Sequence, residues 1–255
     1  MKDELIRIAM KAGEFFLERD LTSVVSKEGH ANFVTNIDCR VQAYLEEALL
    51  KLLPGSKFIG EEKDNQALGD EPTWIVDPLD GTTNMIHDYH LSSVSIALCR
   101  MRKPVTGVIW QPYARELFCA EAGGGAFLNG QQIHVSRMPF PRALAAFGTS
   151  PYYEELEEKT MAVALDYLHE CADIRRTGSA ALDFAYLACG RHEIFFEMLL
   201  KPWDYAAGSL LVQEAGGKVM MPLAGDEMDY DLSTAILAAT PECMEQALEV
   251  FRRHF

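Results

Sequence analysis

Trp74-Ile75-Val76-Asp77-Pro78-Leu79-Asp80-Gly81-Thr82-Thr83-Asn84 is the stretch on which the reading of this chain turns. An apolar, β-rich run ends in two carboxylates three residues apart, with a proline after the first and a glycine after the second. Pro78 removes a backbone donor and fixes one dihedral, so the strand must stop and turn, while Gly81 permits a close or unusual backbone approach. Such a turn can aim both Asp side chains and an intervening carbonyl at one point. Hard divalent cations favour all-oxygen clusters of this kind, and magnesium takes one or two carboxylates together with water and substrate phosphate. The alternative is an Asx-type turn in which Asp77 and Asp80 cap the Gly-Thr-Thr segment and do nothing else.

Two further acidic elements bear on that choice. Phe58-Ile59-Gly60-Glu61-Glu62 again ends a strand-like run in acid, and Pro202-Trp203-Asp204-Tyr205-Ala206-Ala207-Gly208 sets an Asp where a helix begins. Taken alone, the glutamates read as solvated surface and Asp204 as a helix N-cap. The roles are compatible, because a capping carboxylate keeps a second oxygen for a metal.

Working outward, residues 3–19 and 38–53 carry apolar residues at helical spacing, the second run stopped by Pro54-Gly55. From 56 to 135 the chain reads as short strands, over 57–60, 74–77, 92–99, 105–110, 117–120 and 125–128, several of them antiparallel neighbours. Beyond Pro139 and Pro141 strand and helix alternate: strands at 143–148, 172–175, 193–197, 218–221 and 235–239, helices at 152–169, 179–190, 203–215 and 241–253. Two parts are therefore expected, 1–140 with an antiparallel sheet and most of the acidic motifs, and 141–255 with an α/β pattern and Asp204.

The chain has 255 residues, 49% hydrophobic and 24% charged, a profile that disfavours disordered and fibrous classes. Its 38 acidic against 23 basic residues give a net charge of −15, which argues against direct binding of nucleic acid or acidic membranes. A phosphate substrate then needs a local cation. Six scattered cysteines without a C-x-x-C pair, no apolar run of membrane-spanning length and no leader pattern lead to the expectation of a reduced cytoplasmic protein.

The three acidic segments occur together with Val34-Thr35-Asn36-Ile37-Asp38, Phe127-Leu128-Asn129-Gly130, Arg175-Arg176-Thr177-Gly178-Ser179-Ala180-Ala181-Leu182-Asp183 and Glu214-Ala215-Gly216-Gly217. In order and rough spacing this set resembles the inositol monophosphatase family over nearly the whole chain. The resemblance implies a layered α/β (α+β) fold, an αβαβα sandwich of the inositol monophosphatase/fructose-1,6-bisphosphatase type. It also implies a magnesium-dependent phosphomonoesterase that releases phosphate from inositol monophosphate with metal-activated water.

Carried over by position, Glu61, Asp77 and the carbonyl of Leu79 hold one Mg²⁺, and Asp77, Asp80 and Asp204 a second, with a third ion left open. Thr82 orients the water, with Glu61 or Asp38 as its acidic partner. Asp80, the amides of Gly81 and Thr82, and Gly178, Ser179, Ala180, Glu197 and Asp204 form the substrate site, with Arg175 bracing it. A carboxylate at Glu197 suits a polyol, whose hydroxyls donate. Capping remains the alternative for Thr82 and Ser179. Lys27 matches a family lysine near a metal-binding loop, and a solvated lysine is the other reading. A homodimer and lithium sensitivity are implied by the resemblance only.

His87 and His90 read as loop or packing residues rather than ligands, and Gly123-Gly124-Gly125 as a strand-to-strand turn rather than a phosphate cradle. The rival functions are a fructose-1,6-bisphosphatase or nucleotide 3′-phosphatase of the same superfamily and, from another class, a regulatory member that keeps the fold and binds a basic protein.

Overall fold

Thr35 and Asp38 start the second helix by capping one another. The Thr35 hydroxyl accepts from the amides of Ile37 and Asp38, at 3.1 and 3.4 Å, and Asp38 Oδ2 accepts from the Thr35 amide at 2.8 Å. The structure is a computed structural model, and it describes residues 1–26, 33–63, 66–151, 153–225 and 227–255. Lys27 lies outside them.

The first third holds α1 (Lys2–Glu18), β1 (Val24–Ser26), β2 (Phe33–Thr35), α2 (Asn36–Leu52) and β3 (Lys57–Gly60). The middle is β-rich: β4 (Thr73–Asp80), the single turn α3 (Thr82–Ile86), β5 (Ser93–Arg100), β6 (Lys103–Gln111), β7 (Glu116–Glu121), β8 (Gly125–Leu128) and β9 (Gln131–Ile133). Then come β10 (Leu144–Phe147), α4 (Glu154–Glu170), β11 (Asp173–Arg175), α5 (Ala180–Ala188), β12 (Ile194–Leu200), α6 (Pro202–Glu214), β13 (Lys218–Met220), β14 (Thr234–Ala239) and α7 (Met244–Arg252). The expected elements are present with ends shifted by a few residues. The additions are short, β1, β2, α3 and β9, and carry too few residues for a periodic signal.

Strands β3 to β9 form one sheet in chain order, antiparallel except for the parallel pair β3–β4. A second sheet runs β11-β10-β12-β14-β13, parallel around β10 and antiparallel around β14. Three apolar cores join five layers, the middle one spanning both faces of the α5–α6 layer. Leu5, Ala12 and Phe16 of α1 and Val41 and Leu45 of α2 pack on one face of the first sheet. Phe184 of α5 and Leu211 of α6 fill the space between the two sheets. Tyr167 of α4 and Phe251 of α7 cover the outer face of the second sheet. This is the expected αβαβα order.

Because α6 is enclosed from both sides, it is apolar all round, with Tyr205 to Val212 buried without a break. Gly208 permits the contact with α5: a Cβ there would fall 2.4 Å from Phe184 Cβ. The small residues that follow Asp204 are thus packing residues, and they fix the helix start on which Asp204 sits. No helix among the described residues is long and apolar enough to cross a membrane.

Candidate active site

Residues three apart on a regular strand point to opposite faces, yet Asp77 and Asp80 both line one cavity. The strand register explains how. Asp77 lies across from Ser95 and Asp80 from Ser93, so β4 spends one more residue than β5 over the same span, a bulge at Pro78-Leu79 that restores the parity. Gly81 then turns the chain in the left-handed region (φ 87°), and a Cβ there would come within 2.8 Å of the Leu91 carbonyl.

The cavity measures about 290 Å³. Glu61, the residue after β3, and Asp204, the third residue of α6, line it with the two aspartates. Burial raises the Asp77 carboxyl well above the ordinary range, and the charges of Glu61, Asp80 and Asp204 raise it further. Asp204 is raised by burial and then by Glu61 and Asp80. Asp80 is raised by burial to about 6, although Ser179 Oγ and the amides of Ala181 (3.0 Å) and Ala180 (3.2 Å) all donate to it from the start of α5. Four acids from three segments therefore share one low-dielectric site and repel one another.

Asp77 and Asp204 are also tied to the backbone of their own segments. Asp77 Oδ1 accepts from the Leu79 amide at 2.9 Å, so the Asx turn is real and coexists with exposure to the cavity. Asp204 Oδ2 accepts from the Lys201 amide at 2.6 Å, which makes Asp204 the third residue of α6 and not its N-cap. Among the described residues, no three His, Cys, Asp or Glu side chains already form a metal cage. The donor chemistry nevertheless fits a hard divalent cation: all-oxygen, acidic, and joined by no ion pair to Asp77, Asp80 or Asp204 among the described residues.

Thr82 heads α3 and also lines the cavity. Its hydroxyl lies 3.0 Å from Asp38 Oδ1 and 3.1 Å from the Leu79 carbonyl, with geometry to donate to either. Asp38 is the acidic partner seen here, buried and raised by that burial against the hydrogen bonds of Thr35 and Thr82. The Leu79 side chain turns into the first core, and its carbonyl stays beside Thr82.

The rest of the cavity comes from the second half. Gly178 takes φ 81°, and a Cβ there would lie 3.2 to 3.3 Å from the Asn84 amide and Arg176 Nη1. Ser179 does both things expected of it, accepting from the Leu182 amide as N-cap and donating to Asp80. Glu197 lines the cavity, with Oε1 held by the amide and hydroxyl of Ser150, each at 3.0 Å, and burial pushes it up to about 7.

Arg175 is a correction. It is exposed, paired with Asp173 on its own strand, and does not line the cavity; Arg176, whose side chain leaves the chain on the other side, does. Ser150, Asn84 and Asp183 also line the cavity without having been singled out. Ser150 follows the carboxyl end of a parallel strand, where sites of open α/β sheets gather, and Asp183 is one helical turn beyond Ser179. Asn84 donates to the carbonyls of Leu91 (2.7 Å) and Thr177 (2.9 Å) and so ties the β4 turn to the Gly178 segment. His87 and His90 stay outside, His90 exposed and stacked on Tyr113. The glycine triplet turns β7 into β8, and Glu214 accepts the amides of Gly123 and Gly125.

A family model described as the inositol monophosphatase family matches residues 2–254. The chain belongs to the inositol monophosphatase family. It is 39% identical to inositol monophosphatase 2 of Solanum lycopersicum, over 96% of this chain and 95% of that protein. It is 36% identical to the Nus factor SuhB of Escherichia coli K12, over 97% and 94% of the two chains. The crystal structure of the extragenic suppressor protein suhB from Bartonella henselae superposes with a TM-score of 0.90 at 32% identity, covering 100% of this chain and 99% of that one. Membership accounts for the sandwich and for the order of its motifs.

Proposed function

We propose that the chain is a magnesium-dependent phosphomonoesterase that hydrolyses inositol monophosphate to inositol and phosphate. The observation that carries this reading is the meeting of Glu61, Asp77, Asp80 and Asp204 in one cavity that also holds the Thr82 hydroxyl. Glu61, Asp77, Asp80, Asp204 and the Leu79 carbonyl would hold the cations. When bound there, divalent cations supply positive charge to phosphate oxygens and make water acidic enough to attack near neutral pH.

The protein's own groups do the rest. A hydroxyl has one proton and two lone pairs, so Thr82, donating to Asp38, keeps lone pairs to accept from a water in the cavity. This fixes the attacking oxygen in direction and draws its proton toward the Thr82–Asp38 pair. Glu197, anchored through Oε1 by Ser150, has Oε2 left to accept from ring hydroxyls, and the Gly178–Ala180 backbone gives the ring a small-residue wall. Arg175 has no part in this.

The finer assignments belong to the same proposal: two or three magnesium ions, inhibition by lithium, and a homodimer in the cytoplasm. Phosphate release from inositol 1-phosphate in magnesium, at a rate that saturates with substrate, is the expected result; release from adenosine 3′,5′-bisphosphate alone would replace the substrate assignment. The likeness to a Nus factor favours a second reading, a regulatory member that binds a basic protein. A partner captured equally by the wild type and by a hydrolysis-deficient Asp77→Asn chain would support it.

A further inference from the structure

Thr177 is the residue through which the two halves of the cavity meet. Its carbonyl accepts from Asn84 Nδ2 at 2.9 Å, and Asn84 belongs to α3, just beyond the Asp80 turn. Its hydroxyl accepts from the Ser179 amide at 3.1 Å, and its single proton has two acceptors in reach, Asp183 Oδ2 at 2.8 Å and the Ser179 carbonyl at 3.2 Å. The carboxyl is the nearer, and it reaches back from the first turn of α5.

The turn closed in this way passes through Gly178 at φ 81° and ends on Ser179. Ser179 Oγ and the Ala181 amide (3.0 Å) donate to Asp80 Oδ2, with Ser93 Oγ further off at 3.4 Å, and the Ala180 amide donates to Asp80 Oδ1 at 3.2 Å. Asp80 therefore takes its direction from the start of α5. Oδ2 is crowded with donors, and Oδ1, with a single donor, is the oxygen left open to a cation.

Asp183 is an unusual residue to find behind this turn. It is buried, and its other oxygen, Oδ1, has no hydrogen-bond partner among the described residues. Burial favours its protonated form, against the Thr177 bond. A buried group with one bare oxygen destabilises a fold relative to an apolar side chain of the same shape. The bond to Thr177 is what sets Asp183 apart from such a side chain.

We propose that Asp183 is a positioning residue: by holding the Thr177 hydroxyl it fixes the Gly178 turn and the start of α5, and so sets the direction in which Asp80 offers Oδ1 to a cation. This rests on the magnesium-dependent reading above and adds to it a residue that acts through Asp80.

The test is calorimetric magnesium binding to the chain alone, together with the magnesium concentration that half-activates phosphate release from inositol 1-phosphate. Asp183→Ala and Thr177→Val each weaken magnesium about fivefold or more in both measurements, the scale of one lost hydrogen bond. Asp183→Asn, which keeps an acceptor for Thr177, and Thr177→Ser stay within about twofold of the wild type. Asp183→Ala combined with Thr177→Val weakens magnesium no more than either change alone, since both remove the same bond. Tyr167→Phe is the control for lost stability: it removes a buried hydroxyl that donates to the Ala247 carbonyl at 2.7 Å on the outer face of the second sheet, and it binds magnesium like the wild type. Unchanged magnesium affinity in Asp183→Ala and Thr177→Val, additive losses in the double variant, an Asp183→Asn chain no better than Asp183→Ala, or an equal loss in Tyr167→Phe would each overturn the assignment and leave the phosphatase reading standing. A wild type that binds no magnesium overturns that reading and this one together.

Discussion

Two groups of acids line the same cavity under different constraints. Asp77, Asp80 and Asp204 are buried together with Glu61 close by, and each raises another's affinity for a proton. Glu197 sits among Ser150, Thr149 and Arg176, where hydroxyls and a cation moderate it and burial alone accounts for most of its rise to about 7. The first group is stable as anions only beside a strong positive charge, and the second can exist beside hydroxyls. Mutual repulsion in a confined site marks a cation-binding group, whereas a carboxylate solvated by neighbouring hydroxyls marks a surface for a neutral polyol.

Removing a member of the first group separates the two most sharply. Asp77→Asn should lower phosphate release by about 10²–10³-fold or more, the scale of losing a group that stabilises developing charge. It should also melt no lower than the wild type in chelator, because one repelling carboxylate is gone. A variant that loses activity only by unfolding would erase the distinction. Thr82→Val should reduce kcat about a hundredfold, with Thr82→Ser retaining most of it, since the oxygen that takes the water's proton is lost in one and kept in the other. Equal kcat values for valine and serine would remove Thr82 from the chemistry.

The pH dependence of stability follows from the same shifts. Asp80 and Glu197 rise from ordinary values of 3.8 and 4.5 to about 6 and about 7. Between those limits the native chain holds protons that the unfolded chain has already released. Stability without divalent cation must therefore fall as pH rises from about 4 to about 7, and Asp77 and Asp204, raised further still, act in the same direction. Unfolding midpoints in chelator should drop by roughly 5 °C or more between pH 5 and pH 8, and Glu197→Gln should flatten the upper part of that slope. A midpoint that climbs with pH across this window would contradict the assignment of buried, proton-seeking carboxylates. The smallest effect belongs to Arg175→Ala, which should leave kcat and KM within about twofold because its side chain is occupied with Asp173 outside the cavity.

The legibility of the chain divides along the same line. The acidic group was visible because its residues end strands or begin a helix, at points marked by Pro78, Gly81, Gly60 and Pro202; capping and turn roles stood beside metal binding for each of them until the family resemblance joined the three segments into one ligand set. The division into two parts was readable from the switch between short alternating strands and strand–helix alternation, whereas the five layers came only with the family resemblance. The substrate side was legible only in part. Ser150 and Asp183 are common residues in loop and helix contexts where capping is the default role, and nothing in the local pattern shows that they converge with Glu197. Arg175 and Arg176 are adjacent and chemically identical, so choosing between them needs the place where β11 ends at Arg175 and the chain turns toward the cavity, which is a matter of tertiary packing. The bulge at Pro78-Leu79, which brings Asp77 and Asp80 to one side, is implied by the proline but fixed only by the pairing with Ser93 and Ser95.

The most direct test of the central claim is a magnesium titration of phosphate release from inositol 1-phosphate, begun from chain stripped with excess chelator. The account predicts no turnover at the start and a saturable recovery as magnesium is added, with Asp77→Asn failing to recover. Undiminished turnover in chelator, or a recovery in Asp77→Asn that matches the wild type, would show that Glu61, Asp77, Asp80 and Asp204 do not act through a bound cation.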